Sequence, residues 1–298
     1  MKSRPLSIVL LLIAILIWGG AYVVTKGGLS ELPPMMFALL RYGVASIVLV
    51  PLALGRGGLA KLPRPVPWKT LIMMAISGVS LYYFLFNGAL FYTTASQVAL
   101  IQSSFPAIVA IMAVLWLRER LSRRRILGIV LAIAGVVLIV ARSEADSSAR
   151  DPVLGNLLAF ASVLAWSVYT MLAKRLAKAD AIAVTAVVAV LGTIMLVPAA
   201  LIEKGDISLA SISTDGWLRI IYLGALASAA AYLLYNRALR DIDASLAGTF
   251  VNLSTVLGVI AGVIFLDESI TPLAILGGAM VLGGVWVSSG TQDPHGGK

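Results

Sequence analysis

Residues 81–96, LYYFLFNGALFYTTAS, return as residues 230–245, AAYLLYNRALRDIDAS. At an offset of 149 residues Tyr83 falls on Tyr232, Asn87 on Asn236, Ala89-Leu90 on Ala238-Leu239 and Ala95-Ser96 on Ala244-Ser245. Outward from this core the same offset carries Glu119 onto Glu268, Leu127-Gly128 onto Leu276-Gly277 and Gly135 onto Gly284. At the front it slips to 148, pairing Trp18 with Trp166 and Lys26 with Lys174. Alanine and leucine coincide by chance in an apolar chain, but glutamate, asparagine, tyrosine and tryptophan do not. The chain is therefore a duplication of one unit about half its length.

That unit is made for lipid. Of the 298 residues 60% are hydrophobic and only 12% charged, against about half and about a quarter in a soluble domain. A membrane helix needs about 20 mostly apolar residues, and ten such runs are predicted at 7–25, 35–54, 69–91, 95–117, 125–141, 154–173, 181–202, 216–236, 244–266 and 272–289. Barrel strands are excluded because the runs are too long and do not alternate. The first run, from Leu6 to Val24, is read as span 1 and not as a leader, since no small-residue cleavage site follows it. The predicted fold is an all-α integral membrane protein of ten transmembrane helices. Residues 1–148 form one five-helix repeat, 149–290 the other, and 291–298 a polar tail. Five is odd, so the second repeat must enter the membrane upside down relative to the first.

Orientation follows from the 23 Lys and Arg. Five (Lys26, Arg142, Arg150, Lys204 and Arg219) fall on one side, Arg41 lies within a span, and the other seventeen lie on the side of the N-terminus. The positive-inside rule places both termini in the cytoplasm, and the expected location is a bacterial inner membrane. The net charge of +9 sits in these joints and not on one basic face, so no nucleic acid partner is implied.

An inverted repeat is the usual build of a secondary transporter, with its site near the midplane between the halves. The expected partners are therefore a small-molecule substrate and the lipid bilayer, with a monomer favoured. The residue inventory excludes most chemistry. There is no cysteine, and the one histidine, His295, lies in the polar tail. No span interior carries a carboxylate. That removes the usual intramembrane proton relay and the acids, bases and metal ligands of a membrane hydrolase, so no enzyme, cofactor or metal site is expected. No phosphate loop ending in Gly-Lys-Ser/Thr occurs, which leaves ATP without a motif. Facilitated export is the favoured mode, with proton coupling or exchange as the alternative. A nucleotide-sugar or phosphorylated-sugar carrier would want more than one buried cation, and only Arg41 qualifies. A receptor without flux is the rival from outside the class, and the inverted repeat speaks against it.

The candidate substrate contacts lie on polar and aromatic faces, which are expected to point away from lipid. Span 1 offers Trp18 and Tyr22 at i, i+4, and span 6 Trp166 and Tyr169. Spans 3 and 8 offer Tyr82, Tyr83 and Asn87, and Tyr232, Tyr235 and Asn236. Span 4 adds Gln97, Gln102 and Ser103, and span 9 Asn252. Interhelical hydrogen bonding is the alternative role for each polar member. Tyr22 with Lys26, and Trp68, Trp116 and Trp217, also fit the aromatic belt at the membrane surface. Arg41 is either a contact for a substrate carboxylate or an anchor on backbone carbonyls or the interface. Pro106 would kink span 4 near Gln102 and Ser103. Glu119 and Glu268, ending spans 4 and 9, are gates or helix-terminal tethers. Gly128, Gly135, Gly277 and Gly284 are expected to serve close helix packing.

The segment Leu117-Arg118-Glu119-Arg120-Leu121-Ser122, followed by Gly128 and Gly135, resembles the C-terminal signature of an EamA-type repeat. Leu266-Asp267-Glu268-Ser269-Ile270-Thr271, with Gly277 and Gly284, resembles the second copy. Trp18-Gly19-Gly20 and Arg41 are similar to that family as well. The chain thus resembles the ten-span EamA branch of the drug/metabolite transporter superfamily over essentially its whole length. Within that branch it is most similar to bacterial exporters of aromatic amino acids and related compounds (the YddG type). The resemblance implies export of small amphipathic metabolites by alternating access at a central cavity. Two departures stand out: Asp267 and Ser269 flank the second glutamate, and Val190 stands where Arg41 would repeat.

Overall fold

The computed structural model describes residues 4–117, 123–141, 150–203, 208–242 and 244–289. They form ten apolar helices: α1 (Arg4–Gly28), α2 (Pro34–Leu54), α3 (Trp68–Tyr92), α4 (Ala95–Gln102 and Phe105–Leu117), α5 (Arg123–Ala141), α6 (Pro152–Arg175), α7 (Ala181–Glu203), α8 (Thr214–Ala238), α9 (Ala244–Leu266) and α10 (Pro272–Ser289). No strand occurs among the described residues. Seven of these helices are long and apolar enough to cross a membrane, and apolar stretches of α5, α9 and α10 complete the ten. In hydrocarbon every backbone group must be satisfied within the segment, which is why each apolar run becomes a helix. Side chains such as Ile47, Ile202 and Phe265, each more than 70% exposed, form the outward surface such a bundle presents to lipid.

The polar joints decide where helices begin. Thr94, Asp151, Asp180, Ser213 and Thr271 each accept a backbone N–H from the first turn that follows, at 2.9–3.2 Å, satisfying donors a helix start leaves orphaned. Helix ends are held by two lysines in equivalent places. Lys26 Nζ, at the end of α1, donates to the Leu90 carbonyl at 2.6 Å and to that of Thr93, at the end of α3. Lys174 Nζ, at the end of α6, donates to Leu239 (2.9 Å) and Ile242 (2.8 Å), at the end of α8. A cation on the negative pole of a helix is stabilising. The structure thus corrects the interfacial reading of Lys26 and Tyr22. The amine is drawn inward by bare carbonyls, and Tyr22, 7% exposed, packs on Phe86 with ring centres 5.7 Å apart.

The two repeats pack through equivalent helices. Helix α2 packs on its counterpart α7 and α5 on α10, while α1, α3, α4, α6, α8 and α9, with one face of α2, surround the centre. The α5–α10 seam is the tightest: a methyl on Gly135 would stand 2.5 Å from the Gly277 carbonyl oxygen, and one on Gly284 would run into that of Gly128. Small residues let membrane helices approach to this distance. Gly135→Val is expected to cost about 1–3 kcal/mol through overpacking, read as a lowered melting temperature of the solubilised protein.

Two features break helical regularity at the level of the centre. Helix α3 contains a π-helical turn at Ile76–Ser80 and α8 one at Tyr222–Ala230, and Gly78 and Ala227 are repeat equivalents within them. Helix α4 does not kink at Pro106 but breaks before it, at Ser103-Ser104. The proline becomes the second residue of a new helical segment, where its missing N–H is not needed. The hydroxyls of Ser103 and Ser104 cover the Leu100 and Ile101 carbonyls.

Candidate functional site

At the centre α1, α2, α3, α4, α6, α8 and α9 enclose a cavity of about 50 Å³. Trp18, Tyr22, Arg41, Tyr82, Tyr83, Phe86, Gln102, Phe105, Trp166, Tyr232, Ser254 and Thr255 are among its lining residues. The aromatic side chains of α1, α3, α6 and α8 form one continuous assembly. Trp18 stands edge-on to Trp166 at 5.7 Å and to Tyr232 at 5.9 Å. Trp166 stacks on Tyr169 at 4.7 Å and meets Tyr82 at 5.3 Å, and Tyr82 in turn stacks on Phe86 at 5.3 Å. Each such contact contributes about 0.5–1.5 kcal/mol beyond area burial. One water needs roughly 10–15 Å³ of such volume and a drug-sized ligand roughly 300 Å³ or more. The cavity therefore has room for a few waters, and an aromatic solute would enter only as rings move aside.

Trp18, Tyr232 and Arg41 each make a hydrogen bond from one repeat to the other at the cavity. Trp18 Nε1 donates to the Ala227 carbonyl at 2.9 Å, and the Tyr232 hydroxyl donates to the Gly78 carbonyl at 2.9 Å. Both acceptors belong to the π-helical turns, an arrangement frequent at functional sites. The third runs from Arg41 Nε to Ser228 Oγ at 2.6 Å. The guanidinium carbon also lies 4.5 Å from the centre of the Tyr83 ring, a cation–π contact. Arg41 is 2% exposed, and its Nη1 has no partner among the described residues. Among the described residues its side chain bonds no carbonyl, and it is buried within the bundle. Among the described residues no acidic one lines the cavity. A buried charge without a counter-charge is costly, and an anion in this cavity would offset that cost.

The other sequence candidates lie around this centre. Tyr169 and Tyr235 back the lining rings. Asn236 Nδ2 donates to the Tyr169 hydroxyl at 2.7 Å and to Thr185 Oγ1 at 3.0 Å, and Tyr235 pairs with Thr170 at 3.1 Å, fastening α8 to α6 and α7. Asn87 Nδ2 donates to the Pro34 carbonyl at 2.9 Å, tying α3 to the start of α2. Gln97 accepts from Asn156 at 2.7 Å and Thr93 at 3.2 Å, while Gln102 donates to Ser162 at 2.9 Å, which sews α4 to α6. Asn252 is buried, and its Oδ1 has no partner among the described residues. Ser103 and Pro106 sit at the break in α4. Glu268 accepts from Ala95 N (2.7 Å), Ser96 N (2.8 Å) and Ser96 Oγ (2.6 Å), holding the N-terminus of α4. Glu119 lies outside the described residues, as does the side chain of Trp116. Sequence reasoning missed Tyr42, packed between Tyr83 and Tyr232, as well as Ser228 and the carbonyls of Gly78 and Ala227. No side-chain pattern marks a π turn or a backbone acceptor.

The EamA-like transporter family model matches residues 5–141 and 153–290. An uncharacterized transporter of Archaeoglobus fulgidus is 31% identical over 284 residues, covering 95% of this chain and 97% of the relative. A probable amino-acid metabolite efflux pump of Escherichia coli is 26% identical, covering 94% and 93%. The aromatic amino acid exporter YddG of Ancylobacter novellus is 27% identical over 273 residues, covering 87% and 90%. A crystal structure at 22% identity superposes with a TM-score of 0.71 over 96% of this chain and 97% of the other, a likeness of fold.

Proposed function

The chain belongs to the EamA-like transporter family, and from that premise we propose that it exports small amphipathic metabolites, aromatic amino acids and related compounds foremost. The cavity would be presented to each side in turn as residues 1–148 rock against 149–290, in a bacterial inner membrane with both termini cytoplasmic. One observation carries the reading: a buried guanidinium with an open Nη1 stands among tryptophan and tyrosine rings and faces no acid. A flat solute with a carboxylate complements both. The relatives named for amino-acid metabolites and aromatic amino acids support the same solute class. Transport by alternating access needs no covalent step, and we propose facilitated movement of substrate by a monomer. Proton-coupled efflux is the second reading, favoured by Glu268, the one acid buried among the described residues.

Efflux of labelled phenylalanine or tryptophan from liposomes holding the purified chain tests this, with and without a pH gradient. Flux without the gradient supports the facilitated reading, and flux only with it supports the second. Trp166→Ala and Tyr83→Ala are each expected to lower flux about tenfold, from about 1.4 kcal/mol of lost contact, while Trp217→Ala near the start of α8 leaves it near wild type. Equal effects of all three in folded protein would remove the cavity from the transport path.

A further inference from the structure

Arg41 sets a charge balance that the surrounding rings leave open. Among the described residues the cavity holds one fixed positive charge and no fixed negative one, and no span interior carries an aspartate or glutamate. A carboxylate entering it meets a guanidinium suited to paired hydrogen bonds. An ammonium meets ring faces and neutral oxygens but no counter-charge, and it shares the cavity with a fixed guanidinium. The carbonyls of Gly78 and Ala227, in the π turns behind the lining, already accept from Tyr232 and Trp18. A primary ammonium would lose its hydration without gaining an opposite charge.

We infer that the site selects aromatic monocarboxylates of net charge −1 over zwitterionic amino acids, and over amines. This rests on the carrier reading above and moves the preferred substrate, within the amphipathic metabolites named there, from the amino acids to related monocarboxylates. It also supplies an energy source that needs no intramembrane acid. A monoanion crossing alone carries charge, so a membrane potential negative inside drives it outward, by about fiftyfold in equilibrium ratio per 100 mV. A zwitterion moving alone draws nothing from the potential.

Three probes on nearly one skeleton decide the matter: L-phenyllactate, L-phenylalanine, in which an ammonium replaces the hydroxyl, and phenethylamine, which lacks the carboxylate. Flux is measured in liposomes holding the full chain, corrected for protein-free liposomes, with the potential clamped by potassium and valinomycin at zero or at 100 mV negative inside. Phenyllactate is expected to cross at least ten times faster than phenylalanine, with phenethylamine at background. Its final outside-to-inside ratio should rise about fiftyfold under the potential, and that of phenylalanine should not change. Phenylalanine flux equal to or above that of phenyllactate, or phenyllactate flux indifferent to the potential, overturns the inference. Phenylalanine crossing without phenyllactate sinks the inference and leaves the carrier reading intact. If no probe crosses, both fall. Arg41→Gln should erase the preference and Arg41→Lys should keep it. Should the glutamine variant not assemble, the probe series on the unaltered protein still decides.

Discussion

Replacing Arg41 by glutamine is expected to separate transport from stability. Flux of carboxylate substrates should fall thirtyfold or more, since truncating one member of a buried charged pair costs about 2–5 kcal/mol. The melting temperature should hold or rise. Without substrate the guanidinium has Ser228 Oγ and the Tyr83 ring as its partners, and Nη1 has none among the described residues. Its burial is thus a cost that a neutral side chain of similar reach avoids. Ordinary core substitutions lower both quantities together. Arg41→Lys should fall between, keeping the charge without the planar fork. Efflux assays and thermal melts on the same preparations check this. A flux loss matched by a comparable loss of melting temperature would make Arg41 a structural anchor.

Glu268→Ala should show the opposite signature, a loss of stability on the order of 3 kcal/mol. Its carboxylate accepts two backbone N–H groups and one hydroxyl at the start of α4. Removal leaves those donors unsatisfied in a buried place, at about 1–3 kcal/mol apiece, before relaxation recovers part of it. The glutamate is reached from Asp267, whose φ of 51° turns the chain back over the helix end. Gly262 makes room for the contact, because a methyl there would stand 2.5 Å from Glu268 Oε2 and 2.6 Å from Ser96 Oγ. Gly262→Ala should therefore reproduce much of the loss. Glu268→Gln, which sets an NH₂ against N–H donors, should lie between. Unaltered melting of the alanine variant would show that the linker is not held by this contact.

The ten spans were legible because a membrane allows an apolar run of that length little other than a helix, and polar residues must gather at the joints. The glycines of α5 and α10 were legible for a related reason: paired spacing of residues without side chains has few uses other than close approach. The centre was harder to read. In a helix apolar all round there is no contrast to show which face turns inward, so the polar and aromatic residues were the only guides, and they do not separate lining from tethering. Tyr83 and Asn87 share a face, yet Tyr83 lines the cavity while Asn87, one turn further along, ties α3 to the start of α2. The π turns add a residue to a turn and re-aim every side chain beyond them, and no residue type announces such a turn. Tyr22 had the composition of a surface residue and was drawn inside by Phe86.

The reciprocal glycines on the α5–α10 seam have a consequence for ancestry. Each repeat offers the other the same surface, which is what an isologous contact requires. A single five-helix polypeptide inserted in both orientations would meet its twin along this seam. Such a pair would be bound by symmetry to bring two copies of every central side chain, two guanidiniums or none. Fusion into one gene lifts that constraint. The first half has arginine at 41 while the second has valine at 190, and a centre bearing a single unit of charge is closed to a symmetric pair of identical chains.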